Sequence, residues 1–332
     1  MLLIINDSSN AYYNLATEEY LIDHFDEDVV MLWRNDNTVV VGKNQNTIEE
    51  IDSRYVEENN ISVVRRLTGG GAVFHDMGNV NYTIIQTYRE GLFSNYAYFT
   101  EMVRDFLQSL GVEAVLSGRN DLLIDGKKFS GNAQCVRNGR MMHHGTLMFS
   151  SDVKDMSGAL TPNRKKIESK SVKSVSSHVT NISSHMERPV SMDAEQFMLQ
   201  LYDYYLKNYP EAVSYELSQD DRNAIQKLAE EKYSTWEWNY GASPAFAVSA
   251  SRKFGFGLVD VRLNVSRGRI KEIRIFGDYF GIQSISEIEE LLVGVEYRED
   301  AIIEVLAQID PGEYISGMTA EELAGLMLRN DV

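Results

Sequence analysis

The chain of 332 residues has a single cysteine, Cys135. One thiol excludes an internal disulfide framework and points to a reducing compartment. Long apolar runs are missing as well. The longest, Met1 to Ile5 and Val29 to Trp33, are five residues each, far short of the roughly 20 that cross a bilayer. Asn6 and Asp7 follow the first run at once, so it has neither the basic start nor the apolar core of a signal peptide. A cytoplasmic protein with no membrane partner is expected. Positive charge is scarce: 32 Lys and Arg stand against 49 Asp and Glu, a net charge of −17. That balance argues against general nucleic-acid binding, because nothing overall neutralises a polyanion. It leaves room for a local basic patch on phosphates. There is no internal repeat and no extended low-complexity tract.

What is present suits a folded protein. Hydrophobic residues make up 43% and charged residues 24%, too apolar for disorder, and the length suggests about two domains. Leu2 to Ile5 reads as a strand, followed by an amphipathic helix carrying Tyr12, Leu15, Ala16, Glu19, Tyr20 and Ile22 to Phe25. Val29 to Trp33 and Val39 to Val41 are β-rich runs separated by a hairpin or loop signal, Arg34-Asn35-Asp36-Asn37. Helices are expected over Ile48 to Glu58, Asn95 to Leu110, Asp193 to Asn208 and Gln219 to Tyr233, the last behind the N-cap candidate Ser218. Strands are expected over Ile61 to Leu67, Asn79 to Thr87 and most of Val112 to Phe149. This pattern predicts an α+β fold on a mixed sheet, not a regular βαβ alternation.

The texture changes near Asn239 to Ala245. Beyond it, Phe246 to Val265 and Ile270 to Phe276 read as antiparallel strands. Three amphipathic segments follow, Ser286 to Leu292, Ala301 to Ile309 and Thr319 to Leu328. Ser286 with Glu289, and Thr319 with Glu322, have capping-box spacing. The expected division is therefore residues 1–242 and a small α+β domain over 243–332. Between the halves, Thr161 to His178 holds five basic residues against one acid.

Four constellations could carry chemistry. In Arg65-Arg66-Leu67-Thr68-Gly69-Gly70-Gly71-Ala72-Val73-Phe74-His75-Asp76, three glycines leave backbone N–H groups free to converge on an anion. Arg66 adds a fork-shaped donor for carboxylate or phosphate. No Gly-Lys-Ser/Thr follows and the GxGxxG spacing is absent, so this is neither a Walker loop nor a dinucleotide fingerprint. The plain alternative is a glycine-rich hairpin with surface arginines. In Asn120-Asp121 through Asn132, Asp125-Gly126 signals a hairpin, and alternation sends Lys127 and Lys128 to opposite faces. Two solvated lysines are the plain alternative. His143 and His144 face opposite ways, and no histidine has zinc spacing. They suit a structural or substrate-wall role. Cys135 would need a neighbouring base to act as a nucleophile, which the sequence does not display.

Taken in order, these segments resemble the lipoate–protein ligase A family. The blocks are Arg65 to Asp76 followed by Gly78-Asn79-Val80-Asn81-Tyr82, Asn120-Asp121 with Asp125 to Ala133, and His143 to Leu147. Two more are Asn163 to Lys166 with Lys170 and Val172 to Val175, and Trp236 to Asn239 with Pro244-Ala245-Phe246. The resemblance implies a biotin/lipoate ligase-like catalytic domain with an accessory domain. It also implies two steps: lipoate attacks ATP to give lipoyl-AMP and pyrophosphate, and an acceptor lysine then displaces AMP. Further, it implies Lys128 as the catalytic residue, touching both α-phosphate and lipoate. Arg66, Gly71, Ala72, Val73 and Phe74 are implied for the nucleotide, and Thr68, Gly69, Gly70 and His75 for lipoate. Asp121 would support the adenylate or magnesium, which is expected alongside ATP. The implied partners are lipoyl-acceptor domains of 2-oxoacid dehydrogenase complexes or the glycine-cleavage carrier protein, with the enzyme a monomer. A same-fold acyltransferase working through Cys135 without ATP is the alternative.

Overall fold

The computed structural model describes residues 1–160, 178–186, 192–240, 248–266 and 268–328. Residues 161–177, which hold nearly all of the basic stretch, and Pro244-Ala245-Phe246 lie outside the described residues. The chain divides into two compact units. The first comprises Met1–Val41, Thr47–Arg66 and Ala72–Asn239; the second comprises Gly42–Asn46, Leu67–Gly71 and Tyr240–Val332.

In the first unit the elements run β1 (Leu2–Asn6), α1 (Ala11–His24), β2 (Val29–Trp33), β3 (Thr38–Val41), α2 (Thr47–Glu50), α3 (Ser53–Glu58), β4 (Ser62–Arg65), β5 (Val73–His75) and β6 (Asn79–Thr87). After these come α4 (Tyr96–Ser109), β7 (Val115–Ser117), β8 (Asp121–Ile124), β9 (Lys127–Arg137), β10 (Arg140–Met148) and α5 (Val153–Ala159). The unit closes with α6 (Ala194–Asn208), β11 (Val213–Ser214), α7 (Gln219–Leu228) and α8 (Trp236–Asn239). Eight strands form one sheet in the order β11-β1-β2-β6-β10-β9-β8-β7, and a smaller sheet runs β4-β3-β5. The pairs β1–β2, β1–β11 and β3–β4 are parallel and the others antiparallel, so the sheet is mixed, as its patterning implies.

Alternation gives the large sheet two different faces. Val30, Leu32, Tyr82, Ile84, Met141 and Leu147 join Phe99, Val103 and Phe106 of α4 and Phe197, Leu201 and Tyr205 of α6 in one apolar core. The α4 residues recur at helical spacing, and the Asn95 side chain caps that helix on Tyr98 N–H. On the other face, at alternate positions, stand Asn79, Asn81 and Thr83 of β6 and His144 and Thr146 of β10, which make a polar patch beside Trp33, Met31, Ile85 and Met142.

Topology decides between two pairs of alternatives. Arg34-Asn35-Asp36-Asn37 is a loop and not a hairpin, because β2 and β3 belong to different sheets. Nor is the glycine segment a hairpin with surface arginines. It links β4 to β5, which flank β3 on opposite sides, and Arg66 is buried. Ile48 to Glu58 is two short helices, since Ile51 pairs with Leu160 and Asp52 N–H bonds to Ala159 O between them. Gln219 to Tyr233 begins as an α-helix and ends as a π-helical turn over Ala229–Tyr233.

The second unit contains β12 (Val248–Phe254), β13 (Gly257–Ser266) and β14 (Arg269–Gly277) in an antiparallel meander, with α9 (Ile285–Leu292), α10 (Glu299–Leu306), α11 (Pro311–Tyr314) and α12 (Ala320–Leu328). Val259, Val261, Leu263, Ile273 and Ile275 pack with Ile288, Leu292, Ile302, Leu306, Leu323 and Met327. The Thr319–Glu322 capping box forms, with both reciprocal bonds at 3.2 Å. The Ser286–Glu289 box does not. Ser284 is the N-cap, and Glu289 is drawn away to accept from Ile275 N–H and pair with Arg274. Within this unit Gly277 N–H donates to Asn44 O at 2.8 Å and Gly70 N–H to Tyr279 O at 3.4 Å.

Candidate active site

The β8–β9 hairpin turns on Asp125 and Gly126, with φ of 51° and 75°, the left-handed pair that a two-residue turn needs. Ile124 pairs with Lys127 and Leu123 with Lys128. The register then slips, so that Leu122 faces Ser130. Phe129 is the extra residue of this bulge, and its ring is fully buried in the core. Lys127 is exposed, whereas Lys128 is half-buried.

The Lys128 backbone is clamped on both sides, donating to His178 O at 2.8 Å and accepting from Thr180 N–H at 2.9 Å. Its ammonium lies 2.8 Å from Asp121 Oδ1, with 39% and 37% of the two side chains exposed. The lysine crosses over Gly131, where an added Cβ would come 3.1 Å from Nζ and 3.2 Å from Cε. A bare backbone at that position makes room for the cation. Gly131 N–H in turn donates to Thr146 Oγ1 at 3.1 Å. Thr146 is in register with Asn81 of β6, and Asn81 with Trp33 of β2. A row of residues on the polar face therefore runs from Trp33 to the lysine.

One step along the strands is a second row. Glu18 of α1 is 1% exposed. Its Oε1 accepts from Thr83 Oγ1 at 2.6 Å and lies 2.8 Å from His144 Nδ1, while Trp33 Nε1 donates to Thr83 at 2.9 Å. Arg66 is 5% exposed and donates to Val40 O at 3.1 Å. Burial pushes its guanidinium pKa down to about 10, opposed by the attraction of Glu18. His75 is buried behind Trp33, and burial, with the nearby charges of Arg66 and His144, pushes it down to about 3. Asn14 Nδ2 donates to Asn35 Oδ1 at 2.9 Å, which turns the Asn35 amide nitrogen toward His75 Nδ1 at 3.1 Å. Nδ1 is thus the acceptor, and the single proton of this neutral imidazole is assigned to Nε2.

The first unit thus holds Lys128 beside Asp121, and Arg66 and His75 around Glu18 and His144. Val73 and Phe74 pair with Val40 and Val39 on one side only, since β5 is the edge of its sheet. Of the backbone that the resemblance assigns to adenine, Val73 and Phe74 therefore lie on an edge strand. Thr68, Gly69, Gly70 and Gly71 belong to the second unit, where Thr68 is fully buried. A Cβ on Gly69 would sit 2.4 Å from Tyr279 O, so no side chain is tolerated there without backbone movement.

Several site residues escaped the sequence reading. Glu18 looks like an ordinary helix carboxylate, and nothing local signals its burial. Asn79 and Asn81 were legible only as part of a block, although polar residues two apart in a β-rich run signal a polar face. On the apolar side, Asn132 Oδ1 accepts from Tyr82 OH at 2.5 Å and lies 3.3 Å from His143 Nε2. Gln134 Nε2 lies 3.0 Å from His143 Nδ1. His143 stacks on Phe99 at 4.8 Å and is held neutral by burial, a setting that matches the structural one of the two roles left open for it. Cys135 is half-buried on β9, in register with Met142. Among the described residues no group of three or more His, Cys, Asp or Glu could hold a metal ion. Magnesium arriving with a nucleotide needs only one or two carboxylates, the role for which the resemblance implies Asp121. No helix among the described residues is long and apolar enough to cross a membrane.

Residues 10–204 match the family model of the lipoyl protein ligase A/B catalytic domain, and residues 243–327 match that of the bacterial lipoate protein ligase C-terminus. Lipoate-protein ligase LplJ of Bacillus subtilis (strain 168) is 43% identical over 335 residues, covering 98% of this chain and 100% of that protein. LipL1 of P. falciparum, solved in complex with lipoate, shares the fold at a TM-score of 0.81 and 24% identity, over 98% of this chain and 99% of its own. A lipoate-protein ligase A solved with bound ATP is 26% identical, with a TM-score of 0.61 over 72% of this chain and 98% of that one.

Proposed function

The chain belongs to the lipoate–protein ligase family, and from that premise we propose that it activates lipoate with ATP and transfers the lipoyl group to a lysine of an acceptor domain. The geometric observation that supports this most is the Lys128 ammonium, laid over side-chain-free Gly131 and steadied by Asp121. A carboxylate is a poor acyl donor, and joining it to AMP gives it a leaving group. Both partners in that step are anions. A fixed cation offsets their repulsion and the charge that grows in the transition state.

In this reading Lys128 contacts the α-phosphate and the lipoate carboxylate as an electrostatic stabiliser. Arg66 binds phosphate, with its guanidinium pre-oriented by Val40 O. The backbone of Gly71, Ala72, Val73 and Phe74 reads adenine, Val73 and Phe74 from the edge strand. His75 offers a buried Nε2–H to the lipoyl group. Roles for Thr68, Gly69, Gly70 and Gly71 rest on the sequence resemblance alone. Magnesium, when bound, offsets charge on the departing pyrophosphate, and Asp121 is the carboxylate offered to it. The acceptors are lipoyl domains of 2-oxoacid dehydrogenase complexes or the glycine-cleavage carrier, met by a cytoplasmic monomer.

The test is pyrophosphate release from ATP and magnesium with and without lipoate, followed by mass change of an apo acceptor domain. Lipoate-dependent release and a lipoyl mass increment are expected. Modification that proceeds without ATP from an acyl-carrier donor, and is lost in Cys135→Ser, would overturn the proposal in favour of an acyltransferase.

A further inference from the structure

Among the described residues of the candidate site, three buried polar atoms have no hydrogen-bond partner: His75 Nε2, Asn79 Oδ1 and Asn81 Nδ2. Asn79 and Asn81 are 1% and 2% exposed. They stand two apart on β6 and so share the polar face. Asn79 Nδ2 donates to Asn81 Oδ1 at 2.9 Å. Turning both amides over reverses that bond without changing the outcome. Either way one amide nitrogen and one amide oxygen are left over, a donor beside an acceptor. Buried polar atoms are normally satisfied, so the pair suits a ligand group that accepts and donates at adjacent atoms.

Position narrows the choice. Asn81 is in register with Thr146, whose Oγ1 accepts from Gly131 N–H beneath the Lys128 ammonium. Two strand spacings, about 10 Å, separate the Asn81 and Gly131 backbones, and a group held by Lys128 between them is within reach of the Asn81 amide. In the first half-reaction the reacting groups themselves, a carboxylate and a phosphate, present only acceptors, so an amide oxygen has no donor to bind at the bond being made. The second half-reaction differs. When an amine attacks an acyl carbon, the adduct carries an oxygen that accepts and an N–H that donates on the same carbon.

We propose that the Asn79–Asn81 pair acts in the amide-forming step, its donor on the acyl oxygen and its acceptor on an N–H of the attacking ε-amine. This rests on the ligase reading above. The N–C bond forms, the acyl C–O bond to phosphate breaks with its electron pair passing to AMP, and the surplus proton goes to solvent. The asparagines take no proton. The donor stabilises the developing oxyanion, and the acceptor aims the amine lone pair at the carbonyl.

The experiment compares wild type with Asn81→Ala and Asn79→Ala in the full chain, following each half-reaction separately. Lipoyl-AMP formation is read by pyrophosphate release. Transfer is read in a single turnover, by mixing the enzyme–lipoyl-AMP complex with an apo acceptor domain. Adenylation is expected to stay within about 3-fold of wild type, while the transfer rate falls about 10²-fold at unchanged KM for the acceptor, the order seen when one oxyanion donor is lost. Asn79→Ser keeps an accepting oxygen and should recover part of the transfer rate; it also serves if the alanine variants fold poorly. Transfer at the wild-type rate would overturn the inference. So would equal loss in both half-reactions, which would assign the pair to a ribose hydroxyl or to folding. If wild type itself forms no lipoyl-AMP, the ligase reading fails first, and the control shows it directly.

Discussion

Lys127 and Lys128 are neighbours of the same type, yet only one is set against a carboxylate and over a bare backbone. Lys128→Ala should lower adenylation by about 10²-fold or more, as expected for losing one transition-state donor. Lys127→Ala should change it less than about 3-fold, and pyrophosphate release measures both. Gly131→Ala places a methyl 3.1 Å from Nζ, at the far end of a flexible chain. The lysine can swing aside, so thermal stability should hold while adenylation falls. A variant as active as wild type would show that the ammonium's resting position is unimportant. His75 makes a pH prediction. Its folded pKa is depressed to about 3, so on acidification the unfolded chain takes up a proton that the folded chain refuses. Stability is therefore full above about pH 6.5 and is lost as pH falls toward 3. From pH 6.5 to 5 the loss is about 2 kcal/mol for this residue. Denaturant midpoints of wild type and His75→Gln at those two pH values test it, with a flatter dependence expected in the variant.

At the scale of elements, the site is held by joints that tolerate little. Gly145 lies where β10 passes Asn132 and Tyr82, and a Cβ there would meet Asn132 Oδ1 at 2.1 Å and the Tyr82 ring at 2.6 Å. Gly145→Ala should destabilise the first unit by about 1–3 kcal/mol through overpacking, read as a lowered unfolding midpoint. Helix α8 is joined to β4 in a similar way. Asn239 accepts from Arg65 N–H through its side chain and donates to Tyr233 O and Thr235 O, while Trp238 Nε1 donates to Arg65 O. Much of this architecture was legible in the sequence. Alternation set Lys127 against Lys128 on β9 and His143 against His144 on β10, Asp125-Gly126 gave the turn, and the choice of Lys128 over Lys127 came from the family resemblance. What stayed hidden was long-range. Nothing local tells β2 and β3 that they enter different sheets, or α1 that Glu18 must face Thr83 and His144. The slip that lifts Phe129 out of alternation is likewise a property of the strand pair, not of the strand. Ser286 misled because its spacing to Glu289 is right, but tertiary contacts claim that carboxylate first.

For the whole molecule, the separate apolar clusters of the two units predict separable stability. Leu323→Ala removes a fully buried side chain from the second cluster and should cost about 2–5 kcal/mol there. Calorimetry should show one transition moved and another left in place; a single transition shifting as a whole would mean the clusters melt as one. The second unit also takes Gly42–Asn46 and Leu67–Gly71 from early in the chain. A C-terminal fragment beginning at Tyr240 would lack Asn44 and Gly70, the partners of Gly277 N–H and Tyr279 O.

The Asp125–Gly126 turn has a bearing on protein engineering. Because only two residues separate Ile124 from Lys127, the turn works as a reading frame for everything downstream on β9. Splicing a peptide tag into it, with an odd number of added residues absorbed by the strand, would carry the ammonium to the wrong side and expel an aromatic ring from the interior. Loop-grafting libraries aimed at this hairpin should therefore yield folded, catalytically silent clones wherever the phase of the strand has slipped.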